Sequence, residues 1–118
     1  MYGVPKDLDL HRLRGVELHM IWVSRYDVQF VFYDSTRVMA MHELVVRRNG
    51  ADISTWSSER GWSSPAFQEL LHEMVISYGV PDEHTLTIQF GRGHELVIRE
   101  HEDFESIQII PTNPHVVL

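Results

Sequence analysis

Histidine beside glutamate is the most frequent pattern of chemically capable residues in this chain. The sequence has eight histidines, and carboxylates adjoin several of them, as in His42-Glu43, His72-Glu73, His94-Glu95 and Glu100-His101-Glu102. Imidazole and carboxylate groups together can bind zinc, manganese or iron. The spacing argues against this, because no HxH or HxxxH pair occurs and neighbouring residues on a strand point to opposite faces. Structural histidines are the favoured interpretation, and a metal site of His94, His101 and Glu102 is the alternative.

The acidic run at 100–105 is the second candidate for chemistry. Two carboxylates on one side of a strand end can raise the pKa of one of them for general-acid work. No apolar pocket or substrate platform accompanies the run in sequence, so a solvated sheet edge is favoured over an acid-base enzyme. Gly91-x-Gly93 lacks a third glycine and leads into a strand, which indicates a hairpin and no phosphate cradle. No cofactor is expected.

Two tryptophans in a polar segment suggest a binding surface. Trp56 and Trp62 lie six residues apart with Arg60 between them. Large amphipathic side chains of this kind dominate protein interfaces, so Trp56, Arg60 and Trp62 are the candidate partner-binding residues. The structural alternative, slightly favoured, is that the tryptophans fold back over an open end of the core.

Composition excludes several classes of function. The chain has no cysteine, which removes disulfides, thiol catalysis and zinc-thiolate sites. The formal charge of −7 disfavours nucleic acid, although it suits a basic partner. Residues 1–14 lack the apolar run of a secretion signal, and the longest apolar stretch is too short to span a membrane. A cytoplasmic location without membrane contact is therefore expected.

The strands that must position these residues recur along the chain. Shifting the sequence by 58 residues aligns the apolar pattern of 28–32 with that of 86–90 without a gap. The pattern predicts one mainly β (α+β) domain over 1–118, with about eight antiparallel strands in two pseudo-symmetric half-repeats. We place half-repeat one at about 8–48, a polar linker at 49–64 and half-repeat two at about 65–110. The strands are expected to form a curled sheet, a sandwich or a barrel.

One short helix is predicted between the halves. Ser64 is a good N-cap, and Pro65 fits the first helical position because its missing N–H costs nothing there. Both faces of the central strands are apolar, as Val31 and Tyr33 show beside Phe30 and Phe32. One helix cannot cover that surface, so either the sheet curls into a barrel or sandwich or a second subunit covers the exposed face, and a homodimer is a further expectation.

The outline resembles a family of small bacterial proteins of unknown function. The residues that carry the resemblance are 13–16, 28–33, 70–71, the phrase 86–98 and the aromatic-Glu pair Phe104-Glu105. The family has no assigned activity to transfer, and similar small acidic bacterial proteins are often immunity partners of toxins, which is an analogy only. The expected function is a non-catalytic protein-interaction module of the immunity-inhibitor type. The alternatives are the metal-dependent or acid-base enzyme above and a small-ligand carrier.

Overall fold

The computed structural model describes residues 3–110, which form ten β-strands and three short 3₁₀ helices. The strands are β1 Leu18–Val23, β2 Val28–Phe32, β3 Arg37–Ala40, β4 Glu43–Arg48, β5 Ala51–Ser57, β6 Gly61–Trp62, β7 Val75–Asp82, β8 Thr85–Phe90, β9 His94–Arg99 and β10 Ile107–Ile110. The 3₁₀ helices are η1 His11–Leu13, η2 Pro65–Leu70 and η3 Gly91–Gly93. Within the described range, no helix has the length and apolar character needed to cross a membrane.

The strands make two antiparallel sheets, so the prediction of a mainly β fold is confirmed. Sheet one has the order β1-β2-β3-β10, and sheet two has the order β6-β5-β4-β9-β8-β7. The chain crosses between the sheets after β3 and again after β9. The sheets also meet at one corner, where 15–18 runs beside 72–75: the Leu18 N–H donates to the Glu73 carbonyl at 3.0 Å, and the His72 N–H donates to the Leu18 carbonyl at 2.8 Å. The described strands do not close into a barrel, which was one of the arrangements expected from the sequence.

A single apolar core lies between the two sheets. Alternate residues of the central strands point into it, as the period of two in a strand requires. The rings of Phe32 and Phe90 stack across its centre, nearly parallel and 6.5 Å apart. The other large side chains that are fully buried share this core: Leu10, Leu13, Leu18, Phe30, Leu44, Leu70, Leu86, Ile88, Leu96, Ile98 and Ile107. Both sheets therefore belong to one packing unit.

The prediction of a linker at 49–64 is wrong. This segment contains β5 and β6, which are the two strands beyond the expected eight. Its first half is β5, which pairs with β4 along its length, and its second half contains β6. Asn49 and Gly50 make the two-residue turn between β4 and β5, both with positive φ. Asn-Gly is the strongest short hairpin signal because the favoured turn requires positive φ at both residues. The polar composition of 49–64 suggested a linker, although its first part belongs to the β4–β5 hairpin.

The helix start was predicted correctly, although the helix is of the 3₁₀ type. The Ser64 hydroxyl accepts a hydrogen bond from the Ala66 N–H at 3.2 Å and donates to the Ile53 carbonyl at 2.7 Å. Ser64 thus caps η2 and ties it to β5. The hairpin expected at 91–93 is also present, with Arg92 and Gly93 in the left-handed region.

Candidate functional site

The structure separates the predicted tryptophan pair into a core residue and a half-buried one. Trp56 lies on the inner face of β5 and is only 3% exposed, so it cannot anchor a partner and that part of the prediction is wrong. Trp62 is half-buried and stacks on Phe67 with ring centroids 4.0 Å apart. Arg60 is exposed in the turn between β5 and β6. The alternative in which the tryptophans cover the core describes this end of the molecule better.

The predicted metal ligands are not brought together, so the metal alternative is wrong as stated. His94 begins β9, whereas His101 and Glu102 follow its other end. A strand rises about 3.3 Å per residue, which places these groups roughly 20 Å apart along β9. Among residues 3–110, no three histidine, aspartate or glutamate side chains are arranged to hold a metal ion.

His94 instead joins η2 to β9 through a network of hydrogen bonds. It is buried, and its Nε2 lies 3.0 Å from Glu69 Oε1 while its Nδ1 faces the Gly91 carbonyl at 3.4 Å. Arg48 donates to both oxygens of Glu69, at 2.7 and 3.0 Å. The hydrogen bond with His94, followed by that with Arg48, lowers the pKa of Glu69 below its ordinary value. The network is structural, because every group in it is used by a neighbour in the fold.

The acidic run does not form an acid-base pair. Glu100 is 3% exposed and accepts hydrogen bonds from the backbone N–H groups of Gly3 and Ser106. Its carboxylate therefore ties the N-terminal segment to the chain before β10. Glu102 and Asp103 lie at the surface on the following bend. The predicted solvated edge fits those two residues, whereas Glu100 is a buried structural carboxylate that sequence reasoning missed.

Two adjoining concavities lie at the end of sheet two. The first, of about 570 Å³, is bounded by β5 and β6 and includes Arg60 and Trp62. The second, of about 650 Å³, collects His84 and His101 with several carboxylates. His42 and Glu43 line both, where the chain crosses from sheet one to sheet two.

Ring contacts hold two histidines that line the second concavity. The rings of His42 and His101 make an edge contact at 4.9 Å, and His101 stacks on Phe104 at 4.0 Å. On the opposite side, the His84 backbone N–H and the Thr85 side chain donate to Asp82 and lower its pKa. The site can hydrogen-bond a polar ligand. Sequence reasoning named His42 only beside Glu43 and did not group it with His84, because the bend between β3 and β4 and the turn between β7 and β8 are far apart in the sequence.

The most distinctive surface feature is an exposed apolar strip across the corner where the sheets meet. We call it the β1 patch, and its members all carry large apolar side chains that are 37–59% exposed: Met20, Trp22, Tyr33, Met74 and Ile76. Met20 and Trp22 pair with Val31 and Gln29 of β2, which places them on the outer face of sheet one. Among the described residues, Phe104 is the one exposed large apolar side chain outside 20–33 and 74–76. Soluble monomers seldom concentrate apolar surface in this way.

Ring and sulfur contacts hold the patch in place. The Trp22 indole N–H contacts the Met20 sulfur at 2.9 Å, and the Arg37 guanidinium lies 5.7 Å from the Trp22 ring. Tyr33 packs against His19 with centroids 4.4 Å apart. The side chains are therefore ordered before any partner binds, which reduces the entropy lost on binding.

The outer face of sheet two has the opposite character. Arg47 forms ion pairs with Asp52 at 2.8 Å and with Glu95 at 3.7 Å. Gln89 donates to Glu95 at 2.8 Å and accepts from the Ser77 hydroxyl at 2.9 Å. This face is a cross-linked polar surface suited to water, and most of the exposed large apolar side chains lie on the β1 side and in the adjoining segment 74–76.

Comparison with protein-family models, curated proteins and solved structures found no match. The fold and the geometry of these sites are therefore the basis for the functional argument.

Proposed function

We propose that this protein is a non-catalytic protein-interaction module that docks through the β1 patch. The supporting observation is the concentration of large exposed apolar side chains at that one place. Each exposes roughly 100 Å², since aromatic and long apolar side chains present about 150–250 Å² when free. The five side chains of the β1 patch thus offer about 500 Å² together, a large share of the roughly 800 Å² that each partner contributes to an interface of standard size.

The docking surface in this proposal differs from the tryptophan pair expected from sequence. Trp22, which no motif singled out, takes the role first assigned to Trp56. A rigid, half-exposed tryptophan beside a methionine and an arginine has the composition typical of binding hot spots. Inhibition of a bound partner, as in immunity proteins, is the biological role we attach to this surface.

Site-specific photo-crosslinking in cells of the source organism tests the proposal. A benzophenone side chain at Met20 or Met74 is expected to give one discrete adduct. The matched control is the same group at Glu59, which is exposed on the β5–β6 turn. Adducts that are absent from the patch positions, or equally frequent at Glu59, would contradict a docking role for the patch.

A small-ligand carrier remains the second candidate because two concavities adjoin through His42 and Glu43. In this alternative a polar ligand lies across both and contacts Arg60 and His101. Native mass spectrometry of the protein purified without chelator tests it. A stoichiometric bound mass that disappears in His42→Ala supports the carrier, and a bare protein mass in the unmodified chain contradicts it.

We also propose that the two half-repeats are related by a pseudo-twofold axis. In support, the offset of 58 residues in the sequence aligns β2 with β8 and β3 with β9, and it aligns Phe32 with Phe90, whose rings stack. Each half gives its fourth strand to the other sheet, since β4 pairs with β9 and β10 pairs with β3. If the halves are symmetric, the same substitution at equivalent positions should change the free energy of unfolding by a similar amount. Phe32→Leu and Phe90→Leu are expected to cost the same free energy of unfolding within about 0.5 kcal/mol, and a larger difference contradicts the symmetry.

A further inference from the structure

The free edge of β1 is a feature that the docking proposal does not explain by itself. Along β1, the side away from β2 is covered by 72–75 only as far as Leu18. Beyond that point residues 19–23 lie at the edge of sheet one, without a backbone partner on that side among the described residues. We call these five residues the β1 window. One end of the window is set by residues 72–75. The other end is set by the tight turn in which the Ser24 N–H donates to the Asp27 carbonyl at 3.0 Å.

The β1 window lacks the devices that protect the edges of sheet two. Exposed strand edges are normally made short or interrupted by proline, bulges or charges. At the edges of sheet two, β6 has two residues, and β7 contains Pro81 and two register shifts. The window has a single irregularity at its start, next to His19, and contains no proline, lysine, arginine, aspartate or glutamate. Its backbone is open to pairing with another strand.

We infer that the occupant of the β1 window is the β1 window of a second copy, paired antiparallel about a twofold axis at Ile21. This deepens the proposed function and rests on it. A twofold axis generates antiparallel pairing of a strand with itself, and a window centred on one residue is self-complementary. Ile21 then faces its own copy, and Met20 faces Trp22 of the second copy.

The side chains of the window fit this register. Met20 and Trp22 lie on the outer face of sheet one, and their pairing across the axis makes two sulfur–aromatic contacts. On the core side, Val23 is 52% exposed and would be covered by the second copy. No formal charge within the window is brought against its like charge, so the net charge of −7 on each copy opposes pairing only from a distance.

The absence of cysteine from the chain allows the register to be tested directly. Residues directly opposite in an antiparallel pair have Cα atoms about 4.5–5.5 Å apart, within the range a disulfide requires. Under mild oxidation, Ile21→Cys is expected to give a covalent dimer. Ile76→Cys, in the patch but outside the window, is the control for random collision and is expected to stay monomeric. Equal crosslinking of both variants, or of neither, overturns the inference.

A second pair of variants tests the interface without changing the core side of β1. By light scattering, the full chain should have twice its monomer mass of 13.8 kDa, and a mass of 13.8 kDa at every concentration overturns the inference. Trp22→Lys is expected to weaken self-association by at least about 100-fold, because the substitution enters the symmetric interface twice. Ile76→Lys exposes the same charge outside the window and should leave the mass unchanged. An equal effect of both lysines contradicts the β1 register.

The two proposals can fail separately. A monomeric chain that still gives a discrete adduct with another protein from Met20 and Met74 retains the docking function and overturns pairing of the β1 window. An adduct composed of two copies of this chain supports docking through the patch and pairing of the β1 window, and it contradicts inhibition of a different protein at this surface. A dimer whose Ile21→Cys variant does not crosslink overturns the edge-strand geometry.

Discussion

Replacing Trp56 and Trp22 separately by alanine gives the clearest test of which tryptophan belongs to the core. Trp56 is 3% exposed and packs among the core residues, whereas Trp22 is 51% exposed. Removing a buried tryptophan side chain costs about 3–5 kcal/mol through lost transfer free energy and the cavity left behind. Removing Trp22 loses one partly exposed contact with a methionine and one with an arginine, about 1 kcal/mol together.

These costs convert into a large difference in melting temperature. Domains of this size lose about 3–6 °C in Tm for each kcal/mol. Trp56→Ala is therefore expected to lower Tm by about 9–30 °C, and Trp22→Ala by about 3–6 °C. Urea unfolding followed by far-UV circular dichroism measures both costs, since fluorescence would be confounded by the loss of a tryptophan. Dilute protein should be used, because dissociation of a dimer adds a concentration-dependent loss to Trp22→Ala.

Two outcomes would refute the reasoning. A loss below about 1.5 kcal/mol for Trp56→Ala means that the residue is not packed as the structure places it. An equal loss for the two variants in dilute protein means that exposure does not separate their roles. If Trp56→Ala fails to fold, Trp56→Phe keeps most of the ring volume and should cost about 1–2 kcal/mol.

Three further predictions concern local structure. Glu69→Gln should lower Tm at neutral pH, and the difference should shrink as pH falls below the ordinary carboxyl pKa of 4.5, because a lowered pKa gives stability that protonation removes; a difference that does not change with pH contradicts the network. Ser64→Ala should cost about 1–2 kcal/mol in urea unfolding, since η2 loses its cap and a backbone carbonyl its donor; no change would show that the cap is dispensable. Gly93→Ala should cost more than Gly50→Ala, because both have positive φ but an added Cβ overlaps the Asn49 carboxamide only at 93; equal costs would remove the steric argument.

Local signals explain which parts of the fold were predictable from sequence. The alternation of 28–32 and 86–90 placed β2 and β8, and Ser64-Pro65 placed the start of η2, because period and capping chemistry act over a few residues. The β4–β5 hairpin was missed because the serine-rich composition of 49–64 outweighed Asn49-Gly50, the turn signal within it. Here a short motif was more informative than average polarity.

The candidate sites depended on contacts that no local pattern contains. Whether Trp56 is buried depends on β5 joining β4, and whether His94 meets His101 depends on both ends of β9. The apolar alternation of β1 likewise predicts a strand without saying which of its sides lacks a neighbour. Edge position is set by the order of strands in the sheet, which is a property of the whole chain.

The outer face of sheet two is polar, whereas the β1 edge of sheet one is apolar, and this contrast supports pairing at the β1 edge. Charged residues make up 23% of the chain, and on sheet two they form cross-strand pairs such as Arg47 with Glu95. The same chemistry placed at position 20 or 22 would protect that edge at little cost, since a lysine on the outer face of sheet one disturbs no core contact. The chain instead places Met20 and Trp22 there, beside an uncovered backbone. An unprotected edge invites non-specific pairing unless one specific partner occupies it, and a second copy is the partner present whenever the protein is. Pairing at the β1 window therefore accounts for both the exposed side chains and the missing protection.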